Sequence, residues 1–199
     1  MMSRPRLLVT VSFAAMLGGC ANAPLPPPDR FHRLDAPAIN HQPQKLPLLS
    51  IYPYEVQGIY AERPLIYRNG DAQRVLRQYR YEFWAEPVEQ SLQDALVRDL
   101  RKVAGDEWVF TRSARVSAEI ILRPRLLRLE HVVGEQEQER AELSLRFSAF
   151  EDSRAPLFVL DVERSQTLDG KGPDAFVAAV AQMATEAHAE LVQRLIEEK

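Results

Sequence analysis

From Ala141 to Ala149 the sequence alternates without a break. Ala141, Leu143, Leu145, Phe147 and Ala149 are apolar, and Glu142, Ser144, Arg146 and Ser148 lie between them. A period of two belongs to a β-strand with one face in a core and the other in water. The apolar face of such a strand has to be covered by a second layer, and two segments have the pattern to do it. Val88, Leu92, Ala95, Leu96, Leu100 and Val103 fall on one face at helical spacing. Pro87 suits the first turn of that helix, where a missing N–H costs nothing. Glu86 and Glu89 lie at the positive end of its dipole, Arg101 and Lys102 at the negative end, and Gly105 is placed to terminate it. The second segment follows Gly172-Pro173, with Asp174 near its start. Phe176, Val180, Met183, Ala187, Leu191 and Leu195 line one side of it.

The remaining apolar runs are short and β-prone. Residues 48–52 form one. Leu65 to Arg68, Asn69-Gly70 and Val75 to Phe83 read as a hairpin, because Asn-Gly accepts the positive φ angles of a tight turn. Trp108-Val109-Phe110 is another short strand. A longer strand covers 117–130, with Arg123-Pro124-Arg125 marking a bulge or an edge. Residues 134–139 are a polar loop, Ser153-Arg154 a turn, and Phe158, Leu160 and Val162 share a face of the last strand. The final three strands read as a meander. There is no internal repeat. The expected fold is α/β: a single domain over 48–199, with a mixed, largely antiparallel sheet packed by two amphipathic helices.

The N-terminus follows a different logic. Arg4 and Arg6 precede an apolar run of eleven residues, Leu7 to Leu17, and Gly18-Gly19 lead to Cys20. The run is about half the roughly 20 residues that a membrane span needs, so residues 1–19 read as a signal peptide. Leu17-Gly18-Gly19-Cys20 resembles the lipobox of bacterial lipoprotein precursors. That resemblance implies cleavage before Cys20 and acylation of its thiol, which anchors the chain to a membrane. Ala21, rather than Asp, follows the cysteine, and by analogy with enterobacterial sorting this points to the outer membrane. Residues 20–47 read as the lipidated cysteine followed by a Pro-rich tether and lead-in, where Pro24 to Pro28 favour polyproline II. Within it, Phe31-His32-Arg33-Leu34 has two apolar residues suited to docking on a domain edge.

Cys20 is the only cysteine, so its modification leaves no thiol for a disulfide or redox site. Loss of Arg4 and Arg6 leaves 23 basic and 28 acidic residues, a formal charge of −5. That balance argues against nucleic acid or anionic lipid headgroups as main partners, since both want a basic face.

Catalytic patterns are scarce. His32, His41, His131 and His188 include no pair at i+3 or i+4, and there is no HExxH, GxSxG or P-loop pattern. The carboxylates are dispersed, so no glycosidase pair stands out. His188 reads as a partly exposed helix residue. No metal ligand set, cofactor or catalytic residue is expected, and the chain reads as a non-enzyme. Arg123, Arg125 and Arg128 read either as a lipid-phosphate patch or, more simply, as a solvated strand edge. The segment from Tyr60 to Trp84 interleaves six aromatic residues with five arginines. That mix suits a protein interface and equally an ordinary strand pair. Its candidate partner contacts are Arg63, Tyr67, Arg68 and Trp84.

Three stretches carry a further likeness. Glu62 to Arg68 (ERPLIYR), Tyr79 to Pro87 (YRYEFWAEP) and the helix with Leu92, Leu96 and Leu100 resemble the ABC-type transport auxiliary lipoprotein family, which includes the paraquat-inducible protein C lipoproteins. Phe31 to Leu34 resembles the family's opening, with His32 departing from its usual aromatic. Phe83 replaces a residue that is commonly basic. The likeness spans the mature chain, and Trp84-Ala85-Glu86-Pro87 is its most specific part. It implies a lipoprotein on the periplasmic face of the outer membrane, working with an MCE-type (mammalian cell entry) ABC lipid transport system and contacting its MCE-domain protein. It also implies that self-association into a homo-oligomer is open to the chain. The competing readings are a structural lipoprotein of another envelope or secretion assembly, and a lipid or cell-wall hydrolase.

Overall fold

The computed structural model describes residues 25–70, 74–112, 117–134, 138–151 and 155–198. Cys20, the signal segment and the Ser153-Arg154 turn lie outside these. In chain order the elements are β1 (Arg30–His32), β2 (Leu49–Ile51), β3 (Glu55–Val56), β4 (Pro64–Asn69), β5 (Arg77–Trp84), α1 (Val88–Ala104), β6 (Val109–Thr111), β7 (Ile120–Val133), β8 (Arg140–Phe150), β9 (Phe158–Thr167) and α2 (Gly172–Glu197). The chain is one α/β domain, a curled mixed sheet with two helices.

β7 is the spine of the sheet. On one flank it pairs antiparallel with β8, which pairs antiparallel with β9, giving the expected meander. On the other flank three short strands follow one another along its length, all parallel to it: Leu49 opposite Ile120, Glu55 opposite Arg125 and Tyr67 opposite His131. β6 adds to β2 and β1 to β5, again in parallel. Among the described strands, five of eight pairings are therefore parallel, which corrects the expectation of a largely antiparallel sheet. The physical reason is locality. Antiparallel pairs join segments that are neighbours along the chain; Gly70 does take a φ of +62°, but Asn69 ends β4 and β5 begins only at Arg77, so Asn69-Gly70 is not the two-residue turn expected of it. Parallel pairs join distant segments and leave no turn behind.

The bulge in β7 is also displaced from its expected place. It lies between Leu126 and Arg128, and it moves the inward-facing set from even to odd positions, so that Leu129 and His131 continue the row of Leu122, Pro124 and Leu126. Pro124 falls between the β2 ladder, which ends opposite Leu122, and the β3 ladder, which begins opposite Arg125. Among the described residues no strand is registered on that flank there, so a residue without an N–H fits.

α1 and α2 cover the inner face of the sheet. Leu92, Leu96 and Leu100 from α1 meet Phe176, Val180, Leu191 and Leu195 from α2 over Leu122, Leu143, Leu145 and Phe147. Each such side chain contributes about 1.5–3 kcal/mol on burial. Gly105, at φ +97°, ends α1 and donates its N–H to the Arg101 carbonyl. The lead-in before β2 straps the helices from outside. Leu34, Ala36, Ile39 and Leu46 are buried. Thr185 Oγ1 and Arg98 donate to the Pro37 carbonyl, Lys102 Nζ to the Ile39 carbonyl and Gln44 N to the Val103 carbonyl.

Candidate functional site

The Tyr60–Trp84 segment forms the β4–β5 hairpin and the turn before it. The structure distributes its aromatic and basic side chains between two environments. Arg63 is exposed. Its guanidinium donates to the carbonyls of Trp84 and Ala85 and lies 5.6 Å from the Phe31 ring centre, while Phe31 stacks on Phe83. Phe31 is 58% exposed, so this corner of the sheet shows aromatic and cationic surface together. Tyr67 is half-buried and packs on Tyr79 with ring centres 4.5 Å apart. Trp84 is buried against Phe176 at the start of α2. Arg68 lies in a largely dry ion cluster: Nε donates to Glu130 at 2.8 Å, Nη2 to Glu142 at 2.8 Å and Nη1 to the Gly70 carbonyl at 2.6 Å. Tyr60 donates to the other Glu130 oxygen at 2.5 Å. Burial alone pushes the Glu142 carboxyl up, but Arg68 and Arg140 more than offset this and hold it below the usual carboxylate range. Burial, then Glu130, raises the Tyr60 hydroxyl. Of the four candidate contacts, Arg63 is exposed and Tyr67 half-buried, while Trp84 is buried and Arg68 largely so.

Two buried histidines carry matching hydrogen-bond chains. In the first, Tyr79 donates to His131 Nδ1 at 2.9 Å, His131 Nε2–H donates to Glu139 at 3.1 Å, and the same Glu139 oxygen accepts the Gly172 N–H at 2.7 Å. The imidazole lies flat on Phe176, with centres 5.1 Å apart and planes 9° apart. Burial pushes its pKa below the usual histidine value, against the pull of Glu139. In the second chain, Tyr54 donates to His188 Nε2 at 3.4 Å and His188 Nδ1–H donates to Asp99 at 2.8 Å. Asp99 also accepts the Ile39 N–H and two bonds from Arg98. Burial raises the Tyr54 hydroxyl, and Asp99 adds to this. His188 is fully buried, contrary to the expectation of partial exposure.

Tyr54, Tyr79, Asp99 and His131 do not stand out in the sequence as network members, yet two of the polar positions carry a readable signal. Asp99 follows Leu96 by three and precedes Val103 by four, so it lies on the apolar stripe of α1. His188 precedes Leu191 by three and Val192 by four on the apolar side of α2. A polar residue on an apolar stripe needs a buried partner.

Arg125 pairs with Glu55 at 2.6 Å, and Arg128 lies 3.5–3.8 Å from Glu142 and Glu130. Two of the three arginines of the candidate patch are thus matched by carboxylates. Among the described residues, no group of His, Cys, Asp and Glu has the arrangement to hold a metal ion, and no helix is long and apolar enough to cross a membrane.

The family model for the ABC-type transport auxiliary lipoprotein component matches residues 33–192. The chain belongs to this family. As an auxiliary lipoprotein of this kind it associates with an ABC-type transport system. Its fold is similar to the crystal structure of a Xanthomonas campestris protein of the DUF330 family model, at 19% identity and a TM-score of 0.72, covering 84% of this chain and 95% of that one. A second crystal structure, of an uncharacterized protein, is similar at 16% identity and a TM-score of 0.62, covering 85% and 99%. No curated protein matches the auxiliary lipoprotein. At these identities the two structures speak to the fold alone, and the functional assignment comes from the family model.

Proposed function

We propose that this auxiliary lipoprotein is a non-catalytic adaptor of an MCE-type ABC lipid transport system, held at the periplasmic face of the outer membrane by acyl chains on Cys20. The observation that carries the reading is the family match over most of the body, joined to a sole cysteine directly after a short apolar leader. Burying acyl CH₂ groups contributes about 0.8 kcal/mol each, so two or three chains make the anchor effectively permanent. The non-catalytic part rests on the two histidine chains. Each imidazole has both nitrogens engaged inside the fold, which leaves neither nitrogen facing a substrate. Arg63, beside exposed Phe31, and Tyr67, against Tyr79 on the same hairpin, are the contacts we assign to the MCE-domain partner.

Two measurements test this. Mass spectrometry of the membrane-extracted protein should show an N-terminal acylated Cys20. Mild crosslinking from a photo-reactive residue at position 67 should capture an MCE-domain protein. An uncleaved start or a free thiol would remove the anchor. Capture of secretion components alone would favour a structural lipoprotein of another assembly.

A further inference from the structure

The outer face of the sheet, away from the helices, carries a cleft of about 380 Å³ lined by Tyr52, Arg123, Arg125, Arg146, Phe150 and their neighbours. Its four nearby guanidiniums fall into two kinds. Arg125 is neutralised by Glu55 at 2.6 Å, and Arg146 makes a two-pronged pair with Asp161 at 2.6 and 2.7 Å. Arg146, in turn, holds the Asp161 carboxyl below its usual range. Arg112 and Arg123 have no carboxylate partner among the described residues and are held by rings instead. Arg112 lies 4.0 Å and Arg123 4.9 Å from the Tyr52 ring centre, which puts the two within 9 Å of each other. Arg123 is also 4.7 Å from the Phe150 ring centre.

This arrangement has a chemical consequence. A guanidinium stacked on an aromatic ring keeps its plane fixed while its N–H edge stays available. Fixing the fork beforehand lowers the cost of forming two parallel bonds to a tetrahedral oxyanion. With Glu55 and Asp161 already paired, Arg123 in the cleft lining and Arg112 beside it on the Tyr52 ring are the two guanidiniums here without a carboxylate partner among the described residues, on a chain whose formal charge is −3. Next to them lies apolar surface, Phe150 and the 49% exposed Val159. We propose that this cleft binds a phosphate group through Arg112 and Arg123, and that the apolar floor makes a phosphate bearing a hydrocarbon substituent the tighter ligand. The inference rests on the cleft alone and does not depend on the identity of the transport partner.

The test is a ³¹P NMR titration of the full chain in non-ionic detergent with inorganic phosphate, hexyl phosphate and, as a competitor, acetate. Saturable binding of hexyl phosphate is expected, weakened about tenfold by Arg112→Gln or Arg123→Gln and less than about twofold by Arg146→Gln. Hexyl phosphate binding more tightly than inorganic phosphate assigns a lipid-type headgroup as the source. Equal affinity keeps the phosphate site and assigns a free anion as its source. Absence of saturable binding, binding untouched by both arginine substitutions, or displacement by acetate at equal affinity would overturn the proposal. Both arginines are exposed, and circular dichroism of each variant checks that it folds.

Discussion

The two tyrosine–histidine–carboxylate chains use the same three groups in the same order, yet they sit in different surroundings. The His188 chain is closed on every side. Asp99 and His188 are fully buried, and Asp99 ties together α1, α2 and the lead-in at Ile39. The His131 chain lies at the margin of the core. Its acid, Glu139, keeps 14% of its side chain exposed and is also fixed by the first N–H of α2. Read as a list, either chain looks like an acid–base relay. Read with its burial, each is a device that positions secondary structure: the first locks two helices to the lead-in, the second locks β7 to the start of α2. A carboxylate that has lost its partner relaxes toward water at the second site and has nowhere to go at the first.

The contrast can be broken by mutation. His188→Ala leaves Asp99 Oδ2 without a partner in the core, with Arg98 and the Ile39 N–H still on Oδ1, and opens a cavity, so it should cost about 2–5 kcal/mol in urea denaturation. A loss below about 1 kcal/mol would show that water reaches the Asp99 site. His131→Ala lets Glu139 hydrate while its Gly172 bond persists, so a smaller loss of about 1–3 kcal/mol is expected in the same experiment. An equal loss for both variants would erase the distinction.

Acid sharpens the comparison. His131 is depressed in the folded state, so the unfolded chain binds its proton more readily. The stability this contributes is fully present above the unfolded histidine value of about 6.5 and is lost as pH falls through the lower folded value. Glu142 acts with the same sign in a lower window, beginning at about 4.3. Melting temperature followed from pH 7.5 to 5.0 should therefore fall in the wild type, and fall less steeply in His131→Gln. The smallest effects belong to the tyrosines. Tyr79→Phe removes a 2.9 Å bond and Tyr54→Phe a 3.4 Å one, so losses of about 1 and about 0.5 kcal/mol are expected, in that order, by chemical denaturation.

Much of this architecture is legible along the chain because it is local. The stripe from Val88 to Val103, the cap at Gly105 and the alternation in 141–149 each record a contact between residues close in sequence. The lead-in is harder to read. Residues 34–46 have no period, because they are held by single bonds to helix side chains and carbonyls rather than by a repeating ladder. The candidate site splits in the same way. That Arg63 and Phe31 would be presented together cannot be inferred without knowing that β1 pairs with β5. That Arg125 would be matched and Arg123 left open depends on Glu55 being registered opposite β7.

By itself the sequence determined the two amphipathic helices, the hairpin and the meander, since hydrophobic period and turn chemistry are properties of neighbouring residues. It also carries the short apolar run and the placement of Cys20, linear signals on which the expectation of a leader rests. Only the tertiary structure decided the parallel order of β2, β3 and β4 along β7, the burial of His188 against Asp99, and which arginines are left without a carboxylate. Those outcomes depend on which distant segments share a flank of the sheet, and pairing at long range leaves no periodic trace in either segment alone.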